Sequence, residues 1–144
     1  MRIRALVLVT VLIGVLGGCS DDPLMHGEDA LPGRTSNLAG GYVLNGIDPY
    51  NKEYTGRLDI TAGPFSNTYE LQWIVTEAFQ EGTGELKGNV LEVEWRTSEN
   101  AALPAAGTAR FTVTVDGELY GSKVVTDEPG EWRETAYPIG PDDV

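Results

Sequence analysis

Leu91-Glu92-Val93-Glu94-Trp95 decides the fold, because apolar and acidic residues alternate strictly across it. In an extended chain successive side chains leave opposite faces, so Leu91, Val93 and Trp95 share one face and the two glutamates the other. Phe111-Thr112-Val113-Thr114-Val115 repeats the pattern, and Tyr69-Glu70-Leu71-Gln72-Trp73 opens another run of it. No window of comparable length carries a helical stripe.

Working outward, alternating runs between turn residues predict eight strands: Gly41 to Ile47, Tyr54 to Thr61, Thr68 to Thr76, Ala78 to Leu86, Val90 to Arg96, Thr108 to Val115, Glu118 to Thr126 and Glu131 to Pro138. Asp116-Gly117 reads as a two-residue hairpin turn, Lys87-Gly88-Asn89 serves similarly, and Ser98 to Ala106 is a longer loop. Links this short join sequential antiparallel neighbours, so the chain is expected to be all-β. The two architectures open to it are an up-and-down antiparallel β-barrel of about eight strands and a two-layer β-sandwich. Closure removes exposed edges, and Gly56, Gly82, Gly84 and Gly121 suit the bends of a small barrel. The barrel is preferred.

The amino terminus follows a different logic. Arg2 and Arg4 precede an almost wholly aliphatic run from Ala5 to Leu16. A charged start, roughly 7 to 15 apolar residues and small residues before a cleavage point define a secretory signal. A spanning helix needs about 20 apolar residues, more than this run supplies. Leu16-Gly17-Gly18-Cys19 resembles the lipobox of bacterial lipoproteins. That resemblance implies a diacylglycerol on the Cys19 thiol, cleavage between Gly18 and Cys19, and a membrane anchor. Each buried methylene contributes about 0.8 kcal/mol, so two or three acyl chains hold stably. In enterobacterial members of that class Asp after the lipidated cysteine retains the product at the inner membrane. Ser20 stands there here, which implies the outer membrane where the organism has one.

The expected organisation is a signal peptide over residues 1–18, the lipidated cysteine and a flexible tether over 19–38, and the β-barrel domain over 39–144. The tether is rich in Asp, Pro, Gly and Ser and contains His26, the only histidine. The strand pattern Tyr54-x-Gly56-x-Leu58-x-Ile60, Tyr69-x-Leu71-x-Trp73, Gly82-x-Gly84, Leu91-x-Val93 and Asp116-Gly117-x-Leu119-x-Gly121 is similar to small uncharacterised bacterial lipoproteins with lipocalin-like or avidin-like barrels. These devices imply architecture and no particular activity.

After removal of residues 1–18, eight basic residues face 22 acidic ones, a charge near −14. Such acidity opposes nucleic acid, whose phosphates are bound through Lys and Arg. It favours a cationic partner through steering. With Cys19 committed to lipid, the domain keeps no thiol for a disulfide, a thiolate metal site or a nucleophile. A histidine in a tether cannot serve a catalytic triad. Asp48, Asn51 and Glu53 share a loop without the spacing of a calcium site, and Gly82-Thr83-Gly84 lacks the lysine and helix of a phosphate loop. No metal or cofactor is therefore expected.

Two candidate sites remain. Tyr54, Tyr69, Trp73, Trp95 and Phe111 fall in phase with aliphatic neighbours and point inward, where they line either a filled core or a cavity for one small ligand. Glu92 and Glu94, about 7 Å apart along the strand, are a same-face carboxylate pair with glycosidase-like spacing, and they face away from the apolar side. The expected function is a non-enzymatic, lipid-anchored envelope binding module for a small-molecule or protein partner. Alternatives are an inhibitor of a cationic enzyme such as lysozyme, acting through the Ser98 to Ala106 loop, and a carboxylate-dependent hydrolase.

Overall fold

The computed structural model of the protein describes residues 22–76 and 78–141, so Cys19 and the apolar run before it lie outside the described residues. The described residues form β1 (Gly40–Ile47), β2 (Glu53–Ala62), β3 (Thr68–Val75), β4 (Ala78–Lys87), β5 (Val90–Thr97), β6 (Ala106–Val113), β7 (Leu119–Val125) and β8 (Trp132–Pro138). Each strand pairs antiparallel with the next, and β8 returns to β1 with Leu44 opposite Ala136. The fold is a closed up-and-down barrel, and the sandwich is excluded.

Alternation places one residue in two inside the barrel. Leu44, Leu58, Ile60, Leu71, Trp73, Leu91, Val93, Trp95, Phe111, Val113 and Leu119 form one buried cluster. Each strand lies within two residues of its sequence-based bounds, and β6 differs most. Alternation alone sends Val115 inward, yet it is 64% exposed. The strand stops at Val113 because Thr114 opens a turn: the Glu118 amide donates to the Thr114 hydroxyl at 3.0 Å, and the Gly117 amide to the Thr114 carbonyl at 3.1 Å. Gly117 takes φ 82°, the left-handed residue that ends a three-residue hairpin loop. The connection is therefore one residue longer than the Asp116-Gly117 reading.

The second correction concerns the segment expected to be a flexible tether. Residues 22–39 lie against the barrel as a strap. Asn45 on β1 donates to the Pro23 carbonyl at 3.2 Å, and Thr135 on β8 donates to the Leu24 carbonyl at 3.1 Å. His26 stacks on Tyr120 with centroids 3.4 Å apart. The Ala30 amide donates to the Val113 carbonyl at 2.9 Å, and Asn89 donates to the Ala30 carbonyl at 2.8 Å. Leu38 is fully buried in the core and accepts a 2.7 Å bond from the Tyr42 hydroxyl. Composition misleads here because the strap buries Ala30 and Leu38 against other strands and not within itself.

Barrel closure also demands close backbone approach at β7. A Cβ on Gly121 would sit 1.9 Å from the Arg110 carbonyl oxygen, whereas one on Gly84 would approach nothing nearer than the Leu91 side chain at 3.0 Å. Gly121→Ala is therefore expected to cost about 3 kcal/mol in urea unfolding, with Gly84→Ala costing less. Equal costs would show that β6 and β7 are not packed this closely.

Candidate functional site

Six strands contribute to a polar cluster inside the barrel, in the half away from Leu38. The Lys123 ammonium on β7 stands 3.1 Å from Glu134 Oε1 on β8, with side-chain exposures of 4% and 0%. Tyr54 on β2 donates to Glu134 Oε1 at 2.6 Å. Trp73 on β3 donates its indole N–H to Glu134 Oε2 at 3.2 Å. Lys123 donates to Gln80 on β4 at 2.6 Å and lies 5.2 Å and 5.1 Å from the ring centroids of Trp73 and Trp95. Gly46 makes room for this cluster, since a Cβ there would fall 2.2 Å from the Tyr54 ring.

The chemistry of this arrangement is closed. A buried carboxylate must be paired and hydrogen-bonded to be tolerated, and here both oxygens are engaged. Among the described residues no buried polar side-chain atom lacks a partner. Burial, then the Glu134 charge and the hydrogen bond to it, push the Tyr54 hydroxyl far above its ordinary value, so it stays a neutral donor.

All five aromatic residues of the expected cavity face inward, and they divide into two groups. Tyr54, Trp73 and Trp95 gather on the ion pair. Tyr69 lies toward the strap end close to Tyr42, whose hydroxyl is pushed up to about 12 by burial and then by Tyr69. Phe111 is fully buried, at the register of Leu91 and Gly121. Trp95 spends its indole N–H on the carbonyls of Val124 at 3.1 Å and Thr108 at 3.3 Å. Lys123 and Glu134 were missed as site residues, although Leu119-x-Gly121-x-Lys123-x-Val125 and Trp132-x-Glu134-x-Ala136 put both in the inward phase.

Concave space is found on the outer wall. A groove of about 740 Å³ crosses the outside of β3 to β7, with Thr83, Thr108 and Ser122 among its small residues and Glu70, Glu85, Glu92 and Glu94 among its acids. Glu92 is 3.0 Å from both Lys87 and Arg110, and the hydrogen bond and charge of Lys87 hold its carboxyl below the ordinary range. Gly82-Thr83-Gly84 is regular strand, paired with Glu94 at its centre. Asp48 caps its own loop, accepting from the amides of Tyr50 and Lys52 at 2.8 Å. Among the described residues no group of three or more metal-binding side chains assembles.

No protein-family model matches the chain, and no curated protein matches it. Similar solved structures are redesigned β-barrels. One is mFAP1, described as bound to DFHBI, with a TM-score of 0.58, 10% identity, and coverage of 71% of this chain and 94% of that one. Another has a TM-score of 0.54 and 12% identity, covering 72% and 92% of the two chains. At such identity the likeness establishes the eight-stranded barrel and nothing about activity.

Tyr42 and Tyr54 keep their protons in the fold above pH 10, where the unfolded chain releases its own. The unfolded state then binds fewer protons, so stability is complete below about pH 10 and falls as pH rises beyond it, by at most about 1.4 kcal/mol per pH unit for each tyrosine. In urea unfolding between pH 10 and 12, Tyr54→Phe is expected to show a shallower decline than the wild type. An unchanged slope would mean that Tyr54 is not buried against Glu134.

Proposed function

We propose that this protein is a lipid-anchored, non-enzymatic binding module of the bacterial envelope, and that its barrel recognises a cationic protein through the outer groove of β3 to β7. The observation that carries this reading is the division of the barrel. Its interior is occupied by aromatic side chains around a satisfied ion pair, while its outer wall offers an accessible concavity bordered by four glutamates. Among those glutamates Glu92 already answers to Lys87 and Arg110 and Glu85 lies 3.9 Å from Lys87, which leaves Glu70 and Glu94 as the groove's unneutralised charge. Acidic complementarity of this kind steers encounter and fixes register.

The same charge supports inhibition of a cationic enzyme such as lysozyme as the specific form of the activity. Hydrolysis has less behind it. A carboxyl held in its ionised state by two cations is the opposite of a general acid, and Glu92 is in that position. The anchor rests on the lipobox Leu16-Gly17-Gly18-Cys19, with the outer membrane as destination where one exists.

Two measurements test this reading. Cys19→Ala is expected to abolish labelled-palmitate incorporation and release the protein from the membrane fraction; equal behaviour of variant and wild type would overturn the anchor. Surface plasmon resonance against immobilised lysozyme is expected to show binding that weakens steeply with salt and falls at least about tenfold in Glu70→Lys/Glu94→Lys, equivalent to about 1.4 kcal/mol. Absence of binding would remove the cationic-enzyme partner, and unchanged affinity in the variant would remove the groove.

A further inference from the structure

The strap places the start of the described chain at one particular point on the barrel wall. The Pro23 carbonyl accepts from Asn45 on β1 and from Tyr137 on β8, the Leu24 carbonyl accepts from Thr135 on β8, and the Met25 carbonyl accepts from Tyr137. From there the strap runs past β7, where the Gly27 amide donates to Glu118 at 2.6 Å and the Tyr120 hydroxyl donates to Asp29 at 2.7 Å. It then crosses the barrel end to Leu38 and enters β1. The chain is thus docked from Pro23 onward.

Cys19 lies three residues before Asp22. A chain reaches at most about 3.6 Å per residue, so whatever its conformation this stretch spans no more than roughly 11 Å. A lipidated Cys19 therefore cannot let the barrel swing freely at a distance from the bilayer. The wall nearest the anchor exposes Met25 at 63% and Val43 at 49%. Arg133 stands on the same wall, at the register of Ile47, where a cation is favoured beside anionic headgroups. In the closed ring β5 lies halfway round from β1, and β4 halfway round from β8. The acidic groove, centred on β5, is therefore on the opposite side.

We infer that the strap holds the barrel side-on to the membrane, with the β8 and β1 wall against the lipid surface and the acidic groove of β3 to β7 turned away from it. This rests on the lipid anchor proposed above and adds an orientation to it. Anionic headgroups would repel the groove's glutamates, and the docked strap keeps the two apart. The groove then stays open to a partner arriving from the aqueous side.

The test uses the lipidated full chain, in which Cys19 is consumed and an introduced cysteine is the only thiol. Val43→Cys on the β1 wall and Glu94→Cys on the β5 wall are each labelled with one fluorophore in vesicles of neutral and anionic phospholipid carrying a headgroup acceptor. Energy transfer is expected to be several-fold greater from position 43 than from position 94. A flexible Gly-Ser linker of about 20 residues inserted between Ser20 and Asp21 leaves the strap docked and is expected to equalise the two. Equal transfer without the linker, or an undiminished difference with it, would overturn the fixed orientation while leaving the anchor intact. Failure of the protein to float with vesicles would overturn the anchor itself, and the orientation with it.

Discussion

The contact between Lys123 and Glu134 is the constraint around which the barrel interior is arranged. Two opposite charges removed from water cost several kcal/mol apiece unless every donor and acceptor is answered. Here β2, β3, β4 and β5 each send a side chain to answer them: Tyr54, Trp73, Gln80 and Trp95. Such a cluster is satisfied in one register only. A shift of β7 or β8 by one residue would turn Lys123 or Glu134 outward and bury the neighbour instead. The pair thus fixes how the last two strands close against the first.

That interior bears on the proposed site of recognition. With Trp73 and Phe111 fully buried and the ion pair occupying the half away from Leu38, the inside of the barrel serves packing. The outside carries the groove through which the barrel is proposed to meet a partner. Small residues at Thr83, Thr108 and Ser122 leave a hollow between longer glutamates. The strap covers the opposite wall, so the surface divides into a strap-covered side and a side that carries the groove.

The strands were legible because alternation is a local property: Leu91-Glu92-Val93-Glu94-Trp95 carries its own phase whatever surrounds it. The exceptions are residues whose environment is set from far along the chain. Thr114 falls in an outward position and is nevertheless buried, because the strap covers it. Val115 falls in an inward position and is exposed, because the Thr114 turn ends the strand first and the Val115 amide bonds the Glu28 carbonyl. The strap itself reads as loose polar chain, since the partners of Ala30, Asn89 and Val113, lie scores of residues away. Lys123 and Glu134 sit in the inward phase, yet charge argues against burial when each is considered alone. Only their pairing across β7 and β8, invisible in either segment, reconciles the two signals. The aromatic residues were placed on the correct face, but period alone does not distinguish a lined cavity from a filled core.

The central claim is that the polar cluster is a closed structural core. Hydrogen exchange of the Trp73 indole N–H, followed by NMR, tests it most directly, because that proton bridges to Glu134. If the cluster opens only when the barrel unfolds, its protection will correspond to the full free energy of unfolding measured in urea under the same conditions. Exchange orders of magnitude faster, at the rate of a local opening, would contradict the account and return the barrel interior to consideration as the binding site.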